Sequence, residues 1–272
     1  MIPLREASDV AAFGGKAVQL GVALRAGLPA PDGWALSAAW VDTLVRGDTA
    51  AVEGLRGLVP SLGQPVAVRS SAIGEDSAGA SFAGQHATIL DVEPQVDAIA
   101  DAVRQVWASG RTDSALAYRR RLGISGDPQV AVVVQRMVEP VSAGVLFSRD
   151  PATGEDVRVI EAAWGLGEAV VAGLVTPDRY RVDRTGAVLE RTPGFKDLLL
   201  RRAAGGGTEQ IALDDDRAQA LCLDDAQLVG LHQLAERCER VYGGEQDLEW
   251  AFDATGLFLL QRRPITVTRG RA

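Results

Sequence analysis

The sequence is poor in cysteine and histidine. Its 272 residues include two cysteines, Cys222 and Cys238, and two histidines, His86 and His232. The cysteines lie outside any CxxC or Cys/His pattern, so we expect two buried free thiols and propose no zinc site. Each histidine is more typical of a stray polar or core residue than of a catalytic one, and no Ser/His/Asp or Cys/His set can be assembled.

The chain also lacks an excess of positive charge and any long apolar run. Lys and Arg number 28 against 36 Asp and Glu, a net charge of −8, which argues against non-specific binding to nucleic acid or to an anionic membrane. No apolar run approaches the ~18 residues of a membrane span. The first residues include Glu6 and Asp9 without an apolar core, unlike a secretory signal. We therefore expect a soluble, cytoplasmic protein.

What is present is the composition of a folded protein, with 47% hydrophobic and 24% charged residues. The length allows one large domain or two smaller ones. The periodicity predicts helices over 14–28 and 93–110, a helix and a loop within 38–62, and helical structure over 214–242. It predicts strands at 29–37, 128–138 and 157–165, hairpins at 178–191 and 246–266, and a surface loop at 203–210. Because strands and helices mix without regular alternation, we predict an α+β fold.

Glycine is plentiful, at 30 residues, yet the two common nucleotide motifs are missing. In the P-loop pattern, the GGK at 14–16 would need a glycine where Val10 stands and a hydroxyl where Ala17 stands. The WGLGEAV segment has Gly165 and Gly167 but Val170 at the third dinucleotide-binding position. The sequence thus excludes a Walker-type or Rossmann-type phosphate loop.

Two other patterns can bind phosphate. The GGK sequence opens a helix, where N–H groups point outward and Lys16 adds a full charge, so it can hold an anion. The alternative is a capping turn with a solvated lysine. The stretch VAVRSSAIGEDSAGASFAGQ at 66–85 runs from a short apolar strand to Arg69, two serines and a glycine-containing loop with no regular period, which is typical of a ligand-binding loop.

Polar side chains also converge on the C-terminal hairpin. Asp247 and Glu249 share one face of a strand, and Gln261 and Arg263 share one face of the next. Oxygens of Glu249 and Gln261 suit Mg²⁺, and the Arg263 guanidinium suits a phosphate. The alternative is a solvated sheet face with a cross-strand ion pair. The intervening residues, which we expect on an opposite and mostly apolar face, are Leu248, Trp250, Leu260 and Arg262.

Five segments of the chain together resemble the N-terminal ATP-binding domain of the phosphoenolpyruvate synthase, pyruvate phosphate dikinase and rifampin phosphotransferase family. In order, they are FGGKAVQLGVALRAGLPAPDGWALS, VAVRSSAIGEDSAGASFAGQ, VVVQRMVEPVSAGVLFSRDP, EAAWGLGEAVVAGLVTPDRY and DLEWAFDATGLFLLQRRP. The resemblance spans positions 13–265, almost the whole chain. The resemblance implies an ATP-grasp-like fold in which two lobes, approximately 1–125 and 126–272, close over a nucleotide.

The resemblance also implies roles for individual residues. Lys16, Arg69 and Arg263 would contact the phosphates and support catalysis, and Glu249 with Gln261 would bind Mg²⁺. Asp247 matches an acidic family position of less certain role. The remaining nucleotide-binding residues implied by the family are Gly84 and Thr88 around the phosphate loop and Gln135 and Met137 beside the adenine.

The implied activity is a dikinase-type phosphotransfer from Mg·ATP, most simply of the β-phosphoryl group with release of AMP. The family acceptor is a histidine in a TxHA-like context, and neither histidine of this chain has that context. We therefore expect the acceptor on a partner protein or a missing domain, and we expect the phosphohistidine and acceptor domains of the family to be absent from this chain. The alternatives are a non-catalytic ATP-binding regulatory module and a self-contained small-molecule kinase.

Overall fold

The chain divides into two compact units, described separately below. The structure, a computed structural model, describes residues 1–73, 87–121 and 123–265. The first unit comprises Met1–Arg25, Pro31–Met137 and Ala204–Gly207. The second comprises Ala26–Ala30, Val138–Ala203 and Thr208–Ala272.

The first unit is built on a five-stranded sheet in the order β1-β2-β5-β3-β4, with every neighbouring pair antiparallel. Its strands are β1 (Ile2–Pro3), β2 (Gly33–Leu36), β3 (Val66–Ala72), β4 (Thr88–Val92) and β5 (Val130–Arg136). Its helices are α1 (Val10–Arg25), α2 (Ala38–Val45), α3 (Thr49–Leu58), α4 (Val96–Ser109) and α5 (Asp113–Arg121), with 3-10 turns at Leu4–Glu6 and Val59–Ser61.

Helices cover both faces of this sheet, which explains why β5 is a continuous apolar run. On one face, alternate residues such as Val66 and Val68 of β3 pack against α2, α3 and α4 in one hydrophobic core. Helix α1 packs on the other face of the sheet, where it contacts β3 and β5. Because side chains alternate along a strand, Ala67, Arg69 and Ser71 lie on this α1 face.

The second unit contains a six-stranded antiparallel sheet in the order β13-β12-β6-β7-β8-β9 and a separate two-stranded pair, β10 and β11. The strands are β6 (Ser142–Phe147), β7 (Arg158–Trp164), β8 (Asp178–Val182), β9 (Val188–Thr192), β10 (Leu198–Arg202), β11 (Thr208–Ala212), β12 (Gln246–Asp253) and β13 (Gly256–Pro264). The helices are α6 (Glu168–Val171), α7 (Asp215–Gln219) and α8 (Asp225–Tyr242).

Helix α8 covers one face of the six-stranded sheet at β12 and β13. Leu248 and Trp250 of β12 are completely buried. Arg262 also points to this side, since its guanidinium lies 4.2 Å from the centre of the Tyr242 ring at the end of α8. The opposite face of β12 carries Asp247 and Glu249 by alternation.

Most elements follow the periodicity of the sequence, including α4, β5 and the hairpins β8–β9 and β12–β13. The two cysteines are buried and free, as expected. The α+β class is also confirmed. None of the helices in the described ranges is long and apolar enough to cross a membrane.

Three element predictions were wrong in detail. The segment 38–62 holds two helices, because Gly47 breaks the chain with a φ of 83° and Asp48 then caps α3. The segment 214–242 holds α7 and α8 rather than one helical stretch. The predicted loop at 203–210 is only partly a loop, since Thr208–Gln210 pair with β10.

Candidate functional site

Lys16 lies in the first turn of a helix whose entry is fixed by Gly14. The run from Val10 is interrupted at Gly14, with a φ of 74° and ψ of 168°, so the regular part of α1 begins after it. A Cβ at Gly14 would overlap the backbone oxygen of Ser71, so both the backbone angle and the close approach require glycine. The GGK sequence therefore places Lys16, itself 8% exposed, beside the end of β3.

The hydroxyl of Ser71 joins this helix start to β3. Ser71 Oγ accepts a hydrogen bond of 3.0 Å from the backbone N–H of Ala17. The first N–H groups of a helix have no partner within the helix, and here a residue 54 positions away supplies one. The sequence does not show this contact, because a serine after a strand arginine is equally compatible with a solvated loop.

Arg69 lies on β3 two residues before Ser71 and on the same face of the sheet. It is 9% exposed and lies opposite Thr88 on β4 and Val133 on β5. Thr88 and Arg69 are thus cross-strand neighbours on the α1 face, where paired Cβ atoms are roughly 5 Å apart. The first unit brings the predicted phosphate-binding residues Arg69 and Thr88 together, with the start of α1 packed at the end of the same strand.

Gln135 lies near the end of β5, Met137 directly follows the strand, and both are buried. The Gln135 amide donates a 2.8 Å hydrogen bond to the carbonyl oxygen of Pro31. The backbone N–H of Met137 donates to Pro65, and its carbonyl oxygen accepts from the Gln64 amide. These hydrogen bonds hold the backbone in place where β5 ends. The side-chain amide of Gln135 is used in the hydrogen bond to Pro31.

Gly84, the SFAGQ segment and His86 lie outside the described residues.

In the second unit, the predicted metal-binding residues face each other across the β12–β13 hairpin. Glu249 is the cross-strand partner of Gln261, and Asp247 is the partner of Arg263. Gln261 is 3% exposed, and the other three side chains are half-buried. The hairpin thus presents two oxygen-bearing side chains beside an acid and a guanidinium, as the alternation predicted.

A β-bulge follows this pair and corrects one sequence prediction. The register shifts between Glu249 and Trp250, because Trp250 pairs with Leu259 and Leu260 is the extra residue. Leu260 packs with Val138, Ala143 and Ala251. Ala251 shares the Glu249 face by alternation, so the prediction that Leu260 lies on the opposite face was wrong. The Glu249–Gln261 pair is therefore bordered by a small apolar cluster.

The same face of the sheet carries a further carboxylate, that of Glu161, which is not among the predicted site residues. Val145 of β6 lies opposite Glu249, and Glu161 of β7 lies opposite Val145. Two strand spacings, roughly 9.5 Å, separate the backbones of Glu249 and Glu161. The sequence gives two signals, an acid within the apolar run VIEAAW and its place as the first residue of the segment EAAWGLGEAVVAGLVTPDRY.

The donor set fits a magnesium ion held jointly by protein and phosphate oxygens. Within the described ranges, no group of three or more His, Cys, Asp or Glu side chains could hold a metal. Mg²⁺ is typically held by one or two carboxylates plus substrate phosphates, with waters completing its shell. The Glu249 carboxylate with the side-chain amide oxygen of Gln261 matches that pattern. It does not match a site in which protein side chains supply all the ligands of the metal.

A second buried polar cluster lies around Asp178 and is structural. The Asp178 carboxylate forms an ion pair with Lys196, both side chains having no exposed surface. It also accepts 2.8 Å hydrogen bonds from the backbone N–H groups of Gly194 and Cys222. Burial raises the pKa of the Cys222 thiol. Asp178, part of the TPDRY segment, thereby joins three separate stretches of the second unit.

The chain is similar in sequence to known proteins over much of its length. The family described as pyruvate phosphate dikinase, AMP/ATP-binding domain, matches residues 45–272. A probable phosphoenolpyruvate synthase of Methanothermobacter thermautotrophicus is 35% identical, covering 97% of this chain and 45% of that protein. A rifampicin phosphotransferase of Streptomyces sviceus is 44% identical, covering 74% of this chain and 23% of that protein.

A third relative is named for a different reaction. The prodigiosin synthesizing transferase PigC of Serratia marcescens is 36% identical, covering 93% of this chain and 31% of that protein. The chain thus spans less than half the length of these relatives. Among solved structures, the crystal structure of PH1788 from Pyrococcus horikoshii Ot3 has a TM-score of 0.46 at 11% identity, covering 91% of this chain and 88% of that chain.

Proposed function

Because the chain belongs to the pyruvate phosphate dikinase AMP/ATP-binding domain family, we propose that it binds Mg·ATP and transfers a phosphoryl group from it. The acceptor is a histidine on a partner protein or a further domain. The β-phosphoryl group is the one transferred and AMP is released, while the γ-phosphoryl group passes to water, giving phosphate, or to phosphate, giving pyrophosphate. The observation that carries this proposal is the Glu249–Gln261 pair with Arg263 two residues along the same strand, since oxygen ligands and a guanidinium side by side suit a metal–phosphate complex.

The first unit supplies the complementary groups. Lys16 at the start of α1 and Arg69 on β3 are cations that bind phosphate oxygens, and Thr88 lies beside Arg69. Phosphoryl transfer depends almost entirely on positioning and charge stabilisation, so two arginines and a lysine suffice without a side-chain base. Mg²⁺, when bound at Glu249 and Gln261, would offset the negative charge of the phosphates. Gly84, which lies outside the described residues, is a further candidate for binding the phosphates, while Gln135 and Met137 border the adenine.

We further propose that the two units are the lobes of an ATP-grasp-like fold. In this arrangement the phosphate-binding cations of the first unit and the metal ligands of the second act on one nucleotide. The proposal follows from the family resemblance and from the division of the candidate residues between the units.

Calorimetric titration of the purified chain with ATP in excess Mg²⁺ tests the binding step. We expect binding by the parent chain and a loss of at least about tenfold, equivalent to ~1.4 kcal/mol, in Arg69→Ala and Glu249→Ala. Arg5→Ala is the control, because Arg5 forms an exposed ion pair with Asp32. A parent chain that does not bind ATP, or variants that bind as tightly as the parent, contradicts the proposed site.

Product analysis on the same samples distinguishes the transfer reactions. We expect AMP formation only when a histidine-bearing phosphoacceptor protein is added. ATP consumption that depends on a small acceptor, with no partner protein present, would identify a self-contained kinase instead. Binding without turnover, even with the phosphoacceptor protein, would identify a regulatory ATP-binding module.

A further inference from the structure

Ser71 lies on the strand that carries Arg69, and its hydroxyl contacts the helix turn that carries Lys16. The side chain has no exposed surface, so solvent does not compete for its hydrogen bond. Its Oγ accepts the Ala17 N–H at 3.0 Å, and Ala17 directly follows Lys16. The glycine before this turn approaches the Ser71 backbone too closely for any Cβ.

The same residue is part of the strand that carries Arg69. Ser71 and Arg69 share one face of β3, and residues two apart on a strand are separated by about 6.6 Å. The Ser71 hydroxyl therefore joins the helix turn of Lys16 to the strand segment of Arg69. Gly14 fixes how closely the two elements approach, and Ser71 fixes where along the strand the helix begins.

We propose that Ser71 is a positioning residue that sets the location of Lys16 relative to Arg69 for binding the phosphates of ATP. The inference rests on the proposed function. Loss of the hydroxyl leaves the Ala17 N–H without its buried partner, so the first turn of α1 shifts or frays. Displacements of about 1 Å are enough to cost a large part of the rate in a positioned reaction.

The test compares Ser71→Ala with Ser70→Ala. Ser70 is 1% exposed and adjacent on β3, but it lies on the opposite face, with Val66 and Val68. From the net value of one hydrogen bond, we expect Ser71→Ala to weaken Mg·ATP binding about three- to tenfold and Ser70→Ala to leave it unchanged. Ser71→Cys, nearly the same volume with a weaker acceptor, should give an intermediate loss.

A double-mutant cycle separates positioning from general destabilisation. If Ser71 acts through Lys16, Ser71→Ala should cause little further loss of ATP affinity in a Lys16→Met background. A purely structural role predicts that the two losses multiply. Additive free energies in this cycle would overturn the inference.

Hydrogen exchange at the Ala17 amide provides a readout independent of ATP. We expect faster exchange at 15–17 in Ser71→Ala and parent-like exchange there in Ser70→Ala. Unchanged exchange, or ATP affinity equal to the parent in both Ser71 variants, overturns the inference alone. If the parent chain itself fails to bind Mg·ATP, the proposed function fails and the inference fails with it, whatever the exchange shows. If Ser71→Ala does not fold, Ser71→Cys decides by the same two measurements.

Discussion

At the residue scale, His232 on α8 is a buried titratable group with a positively charged neighbour. It is 8% exposed, and its ring nitrogens lie against the guanidinium of Arg158, which is itself buried. Glu236 lies 3.7 Å from Nε2, and Arg184 and Asp183 also act on the ring electrostatically. Burial, and then Arg158, hold the pKa of His232 below its usual value of 6.5. The neutral ring is therefore the form that fits the folded unit.

This depressed pKa predicts a loss of stability in mild acid. The unfolded chain takes up a proton at this residue near pH 6.5, before the folded chain does, so the stabilising contribution is complete above that pH. It declines as the pH falls from about 6.5 through the folded pKa. We expect the urea midpoint to fall between pH 7.5 and 5.5, and to fall less in His232→Gln. An unchanged pH dependence in His232→Gln contradicts the assignment.

At the element scale, the sequence predicts those strands and helices whose side chains alternate with one uninterrupted period. Helix α4 is an example. Two of the errors occur where one residue interrupts the period. Gly47 ends one helix so that Asp48 can cap the next, and the additional residue Leu260 shifts β13. A bulge depends on cross-strand pairing, which a single strand's sequence does not contain.

Helix α8 begins with a capping box that can be tested directly. The Asp224 carboxylate accepts the Gln227 N–H at 2.8 Å, and the Gln227 side chain accepts the Asp224 N–H at 2.9 Å. We expect Asp224→Ala to lower the free energy of unfolding by about 1 kcal/mol, the usual value of such a cap. The measurement is urea denaturation followed by circular dichroism.

The neighbouring acid provides the control for this cap. Asp225 is 84% exposed and forms an ion pair with Arg191, an interaction that typically contributes about 0–1 kcal/mol. Asp225→Ala should therefore cost less than Asp224→Ala. Equal losses would show that the first-turn charge, and not the capping hydrogen bond, stabilises the helix.

At the scale of the whole molecule, the sequence motifs locate the candidate residues but do not determine their supporting contacts. The cross-strand pairing of Glu249 with Gln261 follows from alternation and is found in the structure. The Gln135 contact to Pro31 and the Ser71 contact to Ala17 each join residues more than 50 positions apart. No local pattern encodes such pairs, because they depend on how the sheet of the first unit is ordered.

The division of candidate residues between two units leads to a prediction about ligand-linked stability. A ligand that binds only the folded state stabilises it by about 2.7 kcal/mol at a concentration of 100 times its Kd. If both units contact one nucleotide, Mg·ATP should raise the unfolding temperature by several degrees. Arg69→Ala in the first unit and Glu249→Gln in the second should each abolish most of this increase.

Differential scanning calorimetry with and without Mg·ATP provides the measurement, with Arg5→Ala as a control that retains the full increase. The increase in unfolding temperature is calculated for each variant relative to the same variant without nucleotide, because each variant has its own baseline stability. If only the variant in one unit loses the increase, a single unit holds the nucleotide. In that case the two-lobe proposal is wrong even though ATP binding stands, because the groups of the other unit would contribute nothing to the bound state.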